Sequence, residues 1–88
     1  MSTGDSGTAP TLTLYGRPNC GLCDTMLEAI HARYGQALII EKIDISGDPQ
    51  LERRYGLKIP VLALGEEVIC YGHLDSERLA QTLSRQAQ

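Results

Sequence analysis

Leu12-Thr13-Leu14-Tyr15-Gly16-Arg17-Pro18-Asn19-Cys20-Gly21-Leu22-Cys23-Asp24 decides how the chain is read. An alternating apolar run ends at Gly16, a Gly-Arg-Pro-Asn break follows, and a helical pattern starts beyond the second cysteine. Two thiols two residues apart therefore fall where a strand turns into a helix. The first turn of a helix leaves backbone N–H groups without partners and carries partial positive charge, which favours thiolate over thiol. Cysteines so placed have their pKa lowered from about 8.5 to roughly 3.5–7.5, which would leave Cys20 largely ionised at neutral pH and Cys23 placed to attack a disulfide formed on it. This reads as a redox dithiol, with Cys20 the nucleophile and Cys23 the resolving thiol.

The same spacing also serves half of a zinc site, or a structural disulfide. Zinc takes four ligands, and Cys70-Tyr71-Gly72-His73 offers a second pair. A metal or iron-sulfur module on Cys20, Cys23, Cys70 and His73 is thus the competing reading, against which Cys70 in an apolar strand reads more simply as a buried, redox-silent thiol. A non-catalytic partner-binding domain is the third.

Eighty-eight residues make one domain with one small core, and 42% hydrophobic and 22% charged residues with no Trp or Phe describe a globular protein with an aliphatic interior. A net charge of −3 without a basic cluster argues against nucleic acid, and Arg53-Arg54 reads as a solvated helix face. Three cysteines are too few for a disulfide-stapled secreted domain, no segment is apolar over a membrane's thickness, and Met1 to Pro10 lacks a signal-peptide pattern. The expectation is a monomeric cytoplasmic protein in a reducing compartment, away from membranes.

Residues 1–10, small and polar, are expected to form a disordered tail ahead of a domain over 11–85, with 86–88 frayed. Thr11 to Tyr15 is the first strand. Leu22, Met26, Ile30 and Tyr34 recur every four residues with Leu27 and Ala29 beside them, predicting a helix closed by Gly35, on which His31 is an exposed polar residue. Leu38 to Ile45 is β-branched with apolar residues on both faces, the pattern of an inner strand parallel to the first. Asp48 caps a two-turn helix with Pro49 in its first position and Gly56 at its end. Pro60 opens the strand Val61 to Leu64, and Gly65-Glu66 turns the chain into the antiparallel strand Glu67 to Tyr71. That hairpin brings Pro60 beside Cys70 and Gly72, with Cys70 and Val68 on one face. Asp75 caps the last helix, stapled by Leu74 and Leu79, with Leu79 and Leu83 facing inward.

The order β-α-β-α-β-β-α, a four-stranded mixed sheet flanked by helices in an α/β domain, resembles the thioredoxin fold. Leu14 to Asp24, Ile43-Asp44-Ile45, Asp48-Pro49 and Ile59-Pro60-Val61-Leu62 resemble small bacterial glutaredoxin-like proteins over residues 11–85. The resemblance implies that Cys20 is the nucleophile and Cys23 the resolving cysteine. Pro60 matches the cis-proline, with Ile59 before it offering backbone contacts to a thiol-bearing substrate. Gly72 and Asp75 match part of a glutathione-binding segment in which His73 replaces a glycine, and Arg17 stands near a basic residue that holds glutathione or steadies the thiolate. Read locally, Gly72 is a turn residue and Asp75 a helix cap. A disulfide-bearing protein or small thiol is the implied substrate, with no tightly bound cofactor and glutathione or a reductase partner as the electron donor.

Overall fold

The computed structural model describes residues 9–86. In chain order its elements are β1 (Thr11–Gly16), α1 (Gly21–Tyr34), a 3-10 turn (Gly35–Ala37), β2 (Ile39–Asp44), α2 (Pro49–Tyr55), β3 (Val61–Leu64), β4 (Glu67–Tyr71) and α3 (Ser76–Gln86). The expected disorder of 1–8 and fraying of 87–88 lie outside the described residues. Pro10 is already tied to the sheet, its carbonyl accepting the Ile39 N–H at 2.9 Å. No helix among the described residues is long and apolar enough to cross a membrane.

The strands lie in the order β2-β1-β3-β4. β1 pairs parallel with β2 and antiparallel with β3, and β3 pairs antiparallel with β4. The sheet packs apolar residues on both faces. On one, Leu12, Leu14, Leu62 and Ile69 meet Met26 and Ile30 of α1 and Leu79 of α3. On the other, Val61 meets Ile45 and Tyr55 of α2. Each side chain buried this fully contributes roughly 1.5–3 kcal/mol, so α1 and α3 are held to the sheet mainly by these contacts. The one buried polar residue in this described core, Thr82, satisfies its hydroxyl by donating to the Arg78 carbonyl at 2.9 Å.

Three details differ from the sequence reading. β2 is an edge strand, not an inner one, with Ile39 exposed and Ile40 and Ile43 half-buried. Leu38 and Ile45, which flank it, are the buried ones, and the charges of Glu41, Lys42 and Asp44 keep the open edge in solvent. Leu22 is 59% exposed, and its expected place in the buried stripe of α1 belongs to Cys23, three residues before Met26.

The third concerns β4. A bulge inserts Ile69 between the pairs Leu62↔Cys70 and Ala63↔Val68. An extra residue in one strand shifts the alternation beyond it. Val68 consequently packs with Tyr55 and Val61, while Ile69 and Cys70 pack on the α1 and α3 side. Cys70 and Val68 do not share a face, and Cys70 is half-buried rather than buried.

Candidate active site

Cys20 is the residue before the first turn of α1. Its backbone is extended (φ −101°, ψ 106°), its Sγ accepts the Cys23 N–H at 3.1 Å, and its carbonyl accepts the Asp24 N–H at 3.1 Å. A sulfur thus takes the position that Ser, Asp or Asn usually fills at a helix start, where free N–H groups and the helix dipole stabilise negative charge. Asn19 makes the bend that delivers it, at φ 60°, a left-handed conformation that Asn tolerates better than most residues. Cys20 and Cys23 are joined as a disulfide with their Cα atoms 5.2 Å apart. Cys20 is half-buried and Cys23 is 6% exposed.

Behind Cys23 the chain is close-packed. A Cβ on Gly16 would lie 2.7 Å from the Cys23 Sγ, so the strand end can approach the inner sulfur only because residue 16 has no side chain. A cleft of about 210 Å³ opens there, lined by Gly16, Pro18, Cys23, Asp24, Lys42 and Asp44. The Asp44 carboxyl is held below its ordinary range by the Ser46 backbone N–H and hydroxyl, with a smaller contribution from the Arg17 charge.

Arg17 also lines this cleft, with its guanidinium engaged on α2. Its guanidinium pairs with the Glu52 carboxylate and donates to the Gly56 carbonyl at 3.3 Å, clamping the loop before Cys20 to the end of α2. Tyr15 reinforces the junction by stacking on Tyr55, ring centroids 4.5 Å apart. Glu52 is a supporting residue that sequence reasoning passed over, and Gly16 and Gly56, read there only as a strand break and a helix end, support the site as well. Gly16, directly before the break, carried a readable signal; the pairing of Arg17 with Glu52, 35 residues on, had none.

The Ile59–Pro60 peptide bond is cis. Pro60 is buried, and its carbonyl accepts the Gly72 N–H at 2.8 Å, so Pro60 and Gly72 are neighbours as the hairpin requires. Gly72 has φ 83°, a conformation that favours glycine. The Ile59 N–H donates to the Tyr55 carbonyl at 3.1 Å. β1 pairs with β3 up to Tyr15↔Val61, which sets Ile59-Pro60 beside the segment running from Gly16 into Cys20. Asp75 accepts the Arg78 N–H at 3.0 Å and so caps α3.

Cys70 and His73 line a separate shallow pocket with Asp75 and Arg78. Burial pushes the Cys70 thiol up, the Asp75 N–H draws it partly back, and the Asp75 carboxylate adds to the rise. Among the described residues no group of three or more His, Cys, Asp or Glu side chains is arranged to hold a metal ion, so Cys20, Cys23, Cys70 and His73 do not converge on one site.

A mixed four-stranded sheet between helices, with a CxxC disulfide at the entrance of its first helix, defines a thioredoxin-like domain with a thiol-redox motif. The chain belongs to the family described as Glutaredoxin-like domain (DUF836), which it matches over residues 11–84. Among solved structures it is similar to protein Ne2328 from Nitrosomonas europaea, with 31% identity and a TM-score of 0.77 over 85% of this chain and 92% of that one. It is also similar to a protein from X. campestris, with 37% identity and a TM-score of 0.67 over 84% of this chain and 96% of that one. A malarial protein, 15% identical with a TM-score of 0.52 over 89% of this chain and 97% of that one, shares the fold alone. No curated protein matches the chain.

Proposed function

We propose that the protein is a dithiol-disulfide oxidoreductase in which Cys20 attacks and Cys23 resolves. The observation that carries this reading is the asymmetry of the pair: Cys20 is half-exposed at the helix entrance, whereas Cys23 is buried against Gly16. In the reduced protein the Cys20 thiolate attacks one sulfur of a substrate disulfide, forming a mixed disulfide and releasing the other substrate sulfur as a thiolate. Cys23, after losing its proton, attacks the Cys20 sulfur and expels the second substrate thiolate. Two electrons pass to the substrate, and the Cys20–Cys23 disulfide is left behind. A thiol donor, either two glutathione molecules or the dithiol of a reductase, restores the reduced pair.

Ile59 and Pro60 act as the shelf on which the substrate lies, the Ile59 carbonyl being the backbone group that meets it, since the Ile59 N–H is engaged by Tyr55. Gly72, next to Pro60, leaves that shelf uncovered by a side chain. Arg17 acts as a positioning residue through α2, and Asp75 serves first as a cap. The working environment is a reducing one such as the cytoplasm.

Turnover of bis(2-hydroxyethyl) disulfide, coupled once to glutathione with its reductase and once to a thioredoxin reductase system, tests the reading. Turnover in either arm that disappears in Cys20→Ser supports it; no turnover in both, with the Cys20–Cys23 disulfide resistant to both donors, overturns it.

A further inference from the structure

The segment between the Arg17 clamp on α2 and the Ile59-Pro60 shelf has a composition unlike the rest of the chain. Arg53-Arg54-Tyr55-Gly56-Leu57-Lys58 carries three of the eight Lys and Arg residues and no carboxylate, in a chain whose net charge is −3. Arg53, Arg54 and Lys58 are exposed and form no ion pair among the described residues: the Glu52 carboxylate nearest in sequence is engaged by Arg17. Leu57 stands fully out in solvent at 104% exposure, and Leu22, between the two cysteines, is 59% exposed. An aliphatic side chain among free cations, fully solvated, gains nothing for the fold. Leu57, flanked in the chain by Arg53, Arg54 and Lys58, thus sets an exposed apolar side chain beside cations, a mixture suited to protein contact.

The patch is continuous with the site. Gly56 is the carbonyl partner of Arg17, three residues before Cys20, and Lys58 directly precedes the Ile59-Pro60 shelf. Beyond Lys58, whose ammonium lies 5.4 Å from the Tyr71 ring centre, a groove of about 420 Å³ runs between Arg54, Tyr55, Val68 and Tyr71, with Glu66 as its single carboxylate. A chain lying on the shelf therefore has Lys58 directly beside it, and in the groove Lys58 and Arg54 outnumber the single carboxylate of Glu66.

We infer that this surface docks the acidic flank of a protein disulfide, so that the substrate class is an acidic protein rather than a small thiol. The inference rests on the oxidoreductase reading only where turnover is the readout. Charge at the rim acts mainly on encounter and weakens with salt, while Leu57 supplies contact that salt leaves intact.

Two disulfide-bridged peptides, identical except for Asp/Glu or Lys flanks, are compared with uncharged bis(2-hydroxyethyl) disulfide. The wild-type protein prefers the acidic peptide in kcat/KM by about fivefold or more at low ionic strength, and the preference shrinks as salt is added. Arg53→Gln/Arg54→Gln/Lys58→Gln abolishes the preference and Leu57→Ser weakens both peptides, while hydroxyethyl disulfide turnover stays at the wild-type value. Fluorescence anisotropy with peptides whose cysteines are replaced by serine reads the same preference without turnover. The absence of an acidic preference in anisotropy overturns the docking surface even if hydroxyethyl disulfide is reduced. Its presence without turnover upholds the surface and counts against the redox reading alone. Tighter binding of an oligonucleotide of equal charge than of the acidic peptide also overturns it.

Discussion

The Cys23 sulfur occupies space that any side chain on Gly16 would need, 2.7 Å from where a Cβ would stand. The end of β1 and the first turn of α1 touch through this contact, and it sets how deeply the inner thiol sits. Gly16→Ala must push α1 outward or turn Cys23 off its rotamer. Overpacking of this kind typically costs about 1–3 kcal/mol. Denaturant unfolding of the oxidised and reduced protein is expected to show that loss in both states, accompanied by faster alkylation of Cys23 in the reduced protein.

The two thiols divide their labour. Cys20→Ser is expected to abolish disulfide reduction. Cys23→Ser still permits attack by Cys20 and holds the mixed disulfide, because no second thiol displaces it. Mass spectrometry after exposure to oxidised glutathione reads both outcomes. An adduct on Cys23 in Cys20→Ser, with none on Cys20 in Cys23→Ser, would reverse the roles.

Arg17 joins Glu52 and the Gly56 carbonyl across 35 and 39 residues. Both charged side chains are more than a third exposed, so the ion pair itself is worth only about 0.2–1 kcal/mol and weakens with salt. Arg17→Ala is expected to cost about 1 kcal/mol in urea unfolding, since the Gly56 hydrogen bond is lost as well. If Arg17 serves only as this clamp, Glu52→Gln lowers stability slightly and leaves KM for glutathione unchanged. A fall in that KM would show a guanidinium released to bind the tripeptide.

Cys70 has its thiol pushed up by burial. A raised pKa means less thiolate at any pH below it, and thiolate is the species that alkylates. At pH 7–8 iodoacetamide is expected to modify Cys70 in the folded protein much more slowly than Cys20 after reduction. The Cys70 rate should rise with pH and keep rising past the point where an ordinary cysteine levels off. Equal rates for Cys70 and Cys20 at pH 7 would refute this assignment.

What the sequence determined by itself was local. The break at Gly16 to Asn19, the thiol pair at a helix entrance, the Asp48 and Asp75 caps and the Gly65 turn each depend on residues within four positions of one another, where periodicity and turn chemistry act. The order of elements, and with it the fold class, followed from those signals. Tertiary structure decided the rest. The apolar run from Leu38 to Ile45 cannot reveal whether a neighbour lies on both sides, and β2 proved to be an edge. The β4 alternation gives no sign of the residue inserted at Ile69, because a bulge is fixed by the partner strand. Leu22 and Cys23 compete for one buried position, and the sulfur holds it, packed against Gly16. Arg17 found Glu52 through a contact between residues far apart in the chain, for which no spacing rule exists.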